Sequence, residues 1–121
     1  MTTAHELQHE LQVAGRKLRE AIPGVYEGVA ALSDAAMGEG GVLPAKMREL
    51  IALAIAVTRE CDGCVIVHAR GAARRGATAQ EVAEAMGVAI SMNGGPGTVW
   101  GPRAYAAFHE FAGKEGNPGT S

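Results

Sequence analysis

The chain has two cysteines, and both fall in the stretch Glu60-Cys61-Asp62-Gly63-Cys64-Val65-Ile66-Val67-His68. Cys61 and Cys64 are three residues apart, and His68 follows Cys64 by four. At about 3.6 residues per turn, a helix through this stretch puts all three side chains on one face. Such a triplet can be a dithiol with a built-in base or three ligands of a metal site. A structural zinc site takes four ligands, so the metal reading needs a fourth donor from elsewhere or from water.

A free thiol titrates near 8.5, and only the thiolate is a good nucleophile. A helix beginning at the cysteines lowers thiol pKa through its unpaired N–H groups, and His68 one turn below Cys64 can serve as base or as imidazolium partner. Glu60 and Asp62 work against this by adding negative charge beside Cys61, so the two thiols should differ. A further candidate is Glu49, twelve residues before Cys61 and the one carboxylate in an otherwise apolar run. Buried there, a carboxyl group must be paired or take up a proton near neutral pH, as a general base needs. An ordinary pairing with the adjacent Arg48 is the competing reading.

Six helices are expected to position these groups, giving an all-α bundle. Thr3 and Glu6 form a capping-box pattern ahead of apolar residues at helical spacing, predicting a first helix over about 4–21. Pro23-Gly24 breaks it, and a second helix over about 25–37 carries the stripe Val25, Val29, Leu32 and Ala36 until Gly38-Glu39-Gly40-Gly41. Pro44 suits the first turn of a third helix, which is apolar on nearly every side and therefore expected to be buried. The central helix should run from Cys61 to Arg75, ending at Gly76. Thr78 and Glu81 form another capping box, opening a helix that stops at Asn93-Gly94-Gly95. The last helix is expected over about 97–112, kinked or delayed at Gly101-Pro102, with Lys114 to Ser121 fraying.

At 121 residues the chain suits a single domain, read as residues 1–113 with 114–121 as a flexible tail. A net charge of −2, with cations scattered among carboxylates, offers no footprint for nucleic acid. No apolar run reaches the roughly 18 residues of a membrane helix, and the N-terminus lacks an apolar signal segment, which points to a cytoplasmic protein. In that reducing compartment a Cys-x-x-Cys pair reads as redox or metal chemistry rather than as a staple. Alanine and glycine abound while aromatics make up 4%. A chain of this size buries only about 65% of its unfolded surface alone, so self-association would supply the missing burial.

The residues resemble the AhpD-like, or carboxymuconolactone decarboxylase, family of small all-helical proteins. The likeness covers about residues 44–90: Glu49, the run Leu50-Ile51-Ala52-Leu53-Ala54-Ile55-Ala56, then Cys61-x-x-Cys64-x-x-x-His68, Gly76 and the helix of Glu81-Val82-Ala83-Glu84-Ala85. In alkylhydroperoxidase D-type members this implies a thiol-dependent hydroperoxide reductase. Carried over, Cys64 is the peroxidatic thiol, Cys61 the resolving and exchange thiol, and Glu49 and His68 the proton relay. The resemblance further implies a hydroperoxide substrate, a thioredoxin-like or lipoyl-type dithiol reductant, no cofactor or metal, and a homo-oligomer, trimer or hexamer. One departure stands out: peroxidases of the family have a second histidine directly before the second cysteine, where this chain has Gly63. Members acting on carboxymuconolactone generally lack the cysteine pair, so the family name does not itself imply decarboxylation.

Other readings compete at each position. The dithiol can be a redox switch in a non-enzymatic oligomer, or Glu49 and His68 can work without the sulfurs in a decarboxylase or lactone-processing enzyme. His5 and His9 are expected to be solvated and His109 to lie on the surface. Trp100, Phe108 and Phe111 read as core or subunit contact, and the methionines as packing residues.

Overall fold

A computed structural model describes residues 2–115, and every regular element in it is a helix: α1 Ala4–Ala21, α2 Pro23–Met37, α3 Ala45–Thr58, α4 Asp62–Arg74, α5 Ala79–Asn93 and α6 Gly95–Glu115. The all-α expectation holds. Helices α1 and α5 start where their caps said they would. The Thr3 hydroxyl accepts the Glu6 N–H, while Thr78 and Glu81 satisfy each other's backbone N–H groups in a complete capping box.

Helices α3 to α6 enclose the core. Leu53, Ala69, Val82, Phe108 and Phe111 are sealed inside it, with Leu50, Val57, Val65, Ile66 and Met86 around them. Alanines 69, 72, 73, 104, 107 and 112 are buried as well, which lets the helices approach closely. Helix α1 is fastened to this bundle at its first turn, where the Glu110 carboxylate of α6 accepts the Ala4 N–H at 2.9 Å and meets His5 Nδ1 at 3.1 Å. The His5 ring also packs on Phe111, so His5 is a docking residue rather than the solvated side chain expected. His109 likewise leaves the surface in part, meeting Tyr105 and Phe108 edge-on.

Several boundaries differ from expectation for identifiable reasons. Pro23 begins α2 at its first position, because its missing N–H is one the helix leaves unpaired anyway. Pro44 is instead the cap before α3. Cys61 likewise caps α4 rather than entering it, and Arg75 ends it. Helix α6 starts at Gly95, passes through Pro102 and continues through Lys114 and Glu115, two residues of the expected tail; the rest of that tail lies outside the described residues.

The largest correction concerns α3, which buries Leu50, Leu53, Ala56 and Val57 but leaves Met47, Ile51 and Ile55 exposed. Its second apolar side finds no cover within one chain. Helices α1 and α2 contain no buried residue at all; Leu11 and Leu18 stay exposed, as does the predicted stripe of Val25, Val29 and Leu32.

Candidate functional site

The site is built at the turn between α3 and α4. Helix α3 ends in a Schellman motif: the Glu60 N–H bonds to the Val57 carbonyl and the Cys61 N–H to the Ala56 carbonyl. Glu60 takes the left-handed position at φ 52°, usually given to glycine. Cys61 is therefore both the last residue bonded back to α3 and the cap of α4. Its Sγ accepts the Cys64 N–H at 3.2 Å, so one sulfur sits on the positive end of the helix. A disulfide joins Cys61 to Cys64, with Cys61 half-buried and Cys64 exposed.

One turn further along α4, His68 Nδ1 lies 2.8 Å from Glu49 Oε1. Glu49 is the sole buried charged residue of the described core at 8% exposure, and His68 is half-buried. With Glu49 ionised, Nδ1 carries the proton it donates, leaving Nε2 as the basic nitrogen. Arg48 does not compete for this carboxylate. It turns the other way, donating to the carbonyls of Leu43 at 3.1 Å and Ala36 at 3.0 Å, and thereby ties α3 to the end of α2.

Gly71 is the site residue that the sequence did not disclose. It lies one turn beyond His68, and a methyl group there would come within 2.6 Å of Glu49 Oε1 and overlap Oε2 as well. The bare backbone of α4 thus makes the notch in which the carboxylate sits. A lone glycine inside a predicted helix was the available signal. From this notch a groove of about 460 Å³ opens between α1, α3 and α4, lined by Gln8, Glu49, Val67, Arg70, Gly71, Arg74 and Arg75. Gly63 is half-buried, and Leu11 of α1 lies 3.5 Å from where its Cβ would be, so α1 packs over the position directly before Cys64.

Among the described residues no three or more His, Cys, Asp or Glu side chains converge as metal ligands. The four residues singled out from the sequence form two bonded pairs, Cys61 with Cys64 at the start of α4 and Glu49 of α3 with His68 of α4.

Residues 23–112 match the carboxymuconolactone decarboxylase family. The chain belongs to that family. The fold agrees with a solved member: the apo crystal structure of a carboxymuconolactone decarboxylase family protein from Legionella pneumophila superposes with a TM-score of 0.84 at 33% identity, covering 90% of this chain and 96% of that one. Curated relatives include an uncharacterized protein of Cupriavidus necator, 44% identical over 70 residues, or 58% of this chain and 62% of the relative. Another is uncharacterized protein 4 in the cox locus of Paracoccus denitrificans, 36% identical over 73 residues, covering 60% of this chain and 66% of the relative. The chain spans just under two thirds of the length of these two relatives. Family membership carries the helical fold, and members are often enzymes.

Proposed function

We propose that this carboxymuconolactone decarboxylase family protein is a thiol-dependent hydroperoxide reductase. The observation that carries the reading is the Glu49–His68 hydrogen bond, set one helical turn below the exposed Cys64 of a Cys61–Cys64 redox pair. In the reduced form His68 Nε2 takes the Cys64 proton, and Glu49 stabilises the imidazolium that results. The Cys64 thiolate attacks the distal oxygen of ROOH, breaking the O–O bond and forming a sulfenic acid. The departing alkoxide takes the proton from His68 and leaves as ROH. Cys61 then attacks the sulfenic sulfur, forming the disulfide and releasing water. An external dithiol, thioredoxin-like or lipoyl-type, restores both thiols and is itself oxidised to a disulfide.

The groove beside Glu49 supports the relay by giving its carboxyl end a path to water. The uncovered apolar faces of α1, α2 and α3 support a homo-oligomer, a trimer or hexamer, in which those faces are buried. No described helix is long and apolar enough to cross a membrane, and a reducing cytoplasm would keep the dithiol supplied with electrons.

Steady-state consumption of hydrogen peroxide and cumene hydroperoxide in the presence of dihydrolipoamide tests the proposal. Turnover is expected in the wild type and is lost in Cys64→Ser. A Cys61→Ser/Cys64→Ser variant with undiminished activity toward a lactone acid would transfer the site to the non-redox chemistry of Glu49 and His68.

A further inference from the structure

Asp62 stands between the two cysteines, at the first position of α4, where its charge competes with a thiolate for the positive helix end. It does not stand alone. Arg103 of α6 donates from Nη2 to Asp62 Oδ1 at 2.8 Å, and the same guanidinium lies 4.3 Å from the centre of the Trp100 ring. Trp100 precedes Arg103 by three residues on α6, so the ring restrains a side chain that would otherwise lose considerable rotamer freedom in forming the pair. As a contribution to folding stability such a pair is small, since both side chains are about half exposed. Its position beside the sulfurs gives it another use.

We propose that Arg103 is a positioning residue for the redox turn: by neutralising Asp62 and fixing it toward α6, it keeps that carboxylate from suppressing ionisation of the Cys61 thiol. The proposal rests on the reading of the dithiol as redox-active and names a determinant of its acidity. The charged groups of the surroundings are Arg59, Glu60 and Asp62 in the turn, His68 backed by Glu49, and Arg103 and Glu110 from α6, the last lining one groove with Asp62 and Arg103 and already paired with His5 of α1; α1 also brings the apolar Leu11 to Gly63. Of these, Asp62 adjoins Cys61 in the chain, and its Oδ1 is held by Arg103 of α6. An unpaired carboxylate on the residue next to a thiolate, in largely aqueous surroundings, raises the thiol pKa by about 0.5 to 1 unit.

The test is iodoacetamide alkylation rate against pH for the reduced full-length chain in a Cys64→Ser background, which reports Cys61 alone and needs no peroxide. Arg103→Gln is expected to raise the Cys61 pKa by about 0.5 to 1 unit, slowing alkylation at pH 7 roughly three- to tenfold. Arg103→Lys restores at least half of that shift. Asp62→Asn alone lowers the pKa, because the arginine's charge then acts on the thiolate, and Asp62→Asn/Arg103→Gln returns it to within about 0.3 unit of the parent. An unchanged pKa in Arg103→Gln, or a shift that persists undiminished in the double variant, overturns the proposal. Should Arg103→Gln fail to fold, Asp62→Asn decides it: a pKa that does not fall is a refutation. Absence of peroxidase turnover in the wild type would instead count against the proposed function and leave this measurement standing.

Discussion

The carboxylate of Glu49 occupies the space that a side chain at Gly71 would fill, and in that space it reaches His68 Nδ1 at 2.8 Å. Two helices are thereby locked at one separation by an absent side chain on α4 and a buried acid on α3. Replacing Gly71 with alanine must push the carboxylate out of its notch or force α3 and α4 apart. Overpacking of this kind costs about 1–3 kcal/mol. Gly71→Ala is therefore expected to lower the thermal midpoint and to reduce the proposed peroxidase turnover at least tenfold, checked by calorimetry and by steady-state kinetics on the same preparation.

The proposed relay of Glu49 and His68 predicts unequal effects of its two members. His68→Gln removes the base, so thiolate formation at neutral pH depends on solvent alone, and kcat/KM should fall about 10²- to 10⁴-fold at pH 7, with part of the loss recovered as pH rises. Glu49→Gln keeps the shape and a hydrogen-bond partner but loses the charge that stabilises the imidazolium. A smaller loss is expected there, and pH–rate profiles of the two variants check the order.

Glu60 holds a backbone conformation that costs a residue with a Cβ about 1–2 kcal/mol. Glycine relieves this but loses about 0.5–1 kcal/mol to the greater freedom of the unfolded chain. Glu60→Gly should thus be neutral to mildly stabilising, while Glu60→Val, β-branched at positive φ, should destabilise clearly. Urea midpoints provide the check, expected at or above the wild type for Glu60→Gly and clearly below it for Glu60→Val.

Acid should loosen the attachment of α1. Burial pushes the Glu110 carboxyl up, but the N–H of Ala4 and the imidazole and N–H of His5 outweigh it and hold its pKa below the ordinary 4.5. Glu81 is lowered too, first by the Thr78 N–H and then by Lys46. A carboxyl group with a depressed folded-state pKa binds fewer protons folded than unfolded, so its stabilisation is complete above the ordinary value and is lost as pH falls through the folded one. Thermal midpoints should therefore fall as pH drops below about 4.5, and Glu110→Gln should flatten that dependence. An unchanged acid limb in the variant would remove Glu110 from the account.

What could be read in advance was local. Thr3 with Glu6 and Thr78 with Glu81 place helix starts because a cap is satisfied within three residues, and Gly76 ends α4 in a left-handed position, φ 82°, that its residue type announces. The thiol–imidazole spacing is likewise a property of one helix. What escaped was non-local or carried no residue-type signal. Glu60 takes the same kind of position as Gly76 without being glycine. Gly71 acquires meaning only when α3 lies against it, and Arg103 reaches Asp62 across 41 positions of sequence. The all-round burial expected of α3 failed because its apolar residues exceed what a single copy of the bundle can cover. His5 departs from the solvated expectation because its partners, Glu110 and Phe111, are more than a hundred positions away in the chain.

The central claim is that Cys64 reacts with a hydroperoxide and Cys61 resolves the product. Thiol titration during a stopped-flow pulse of peroxide on the reduced protein addresses it directly. The account predicts loss of two thiols per chain, faster than free cysteine reacts under the same conditions, recovered by a dithiol and abolished by Cys64→Ser. Loss no faster than that of free cysteine, or unchanged in Cys64→Ser, would contradict it.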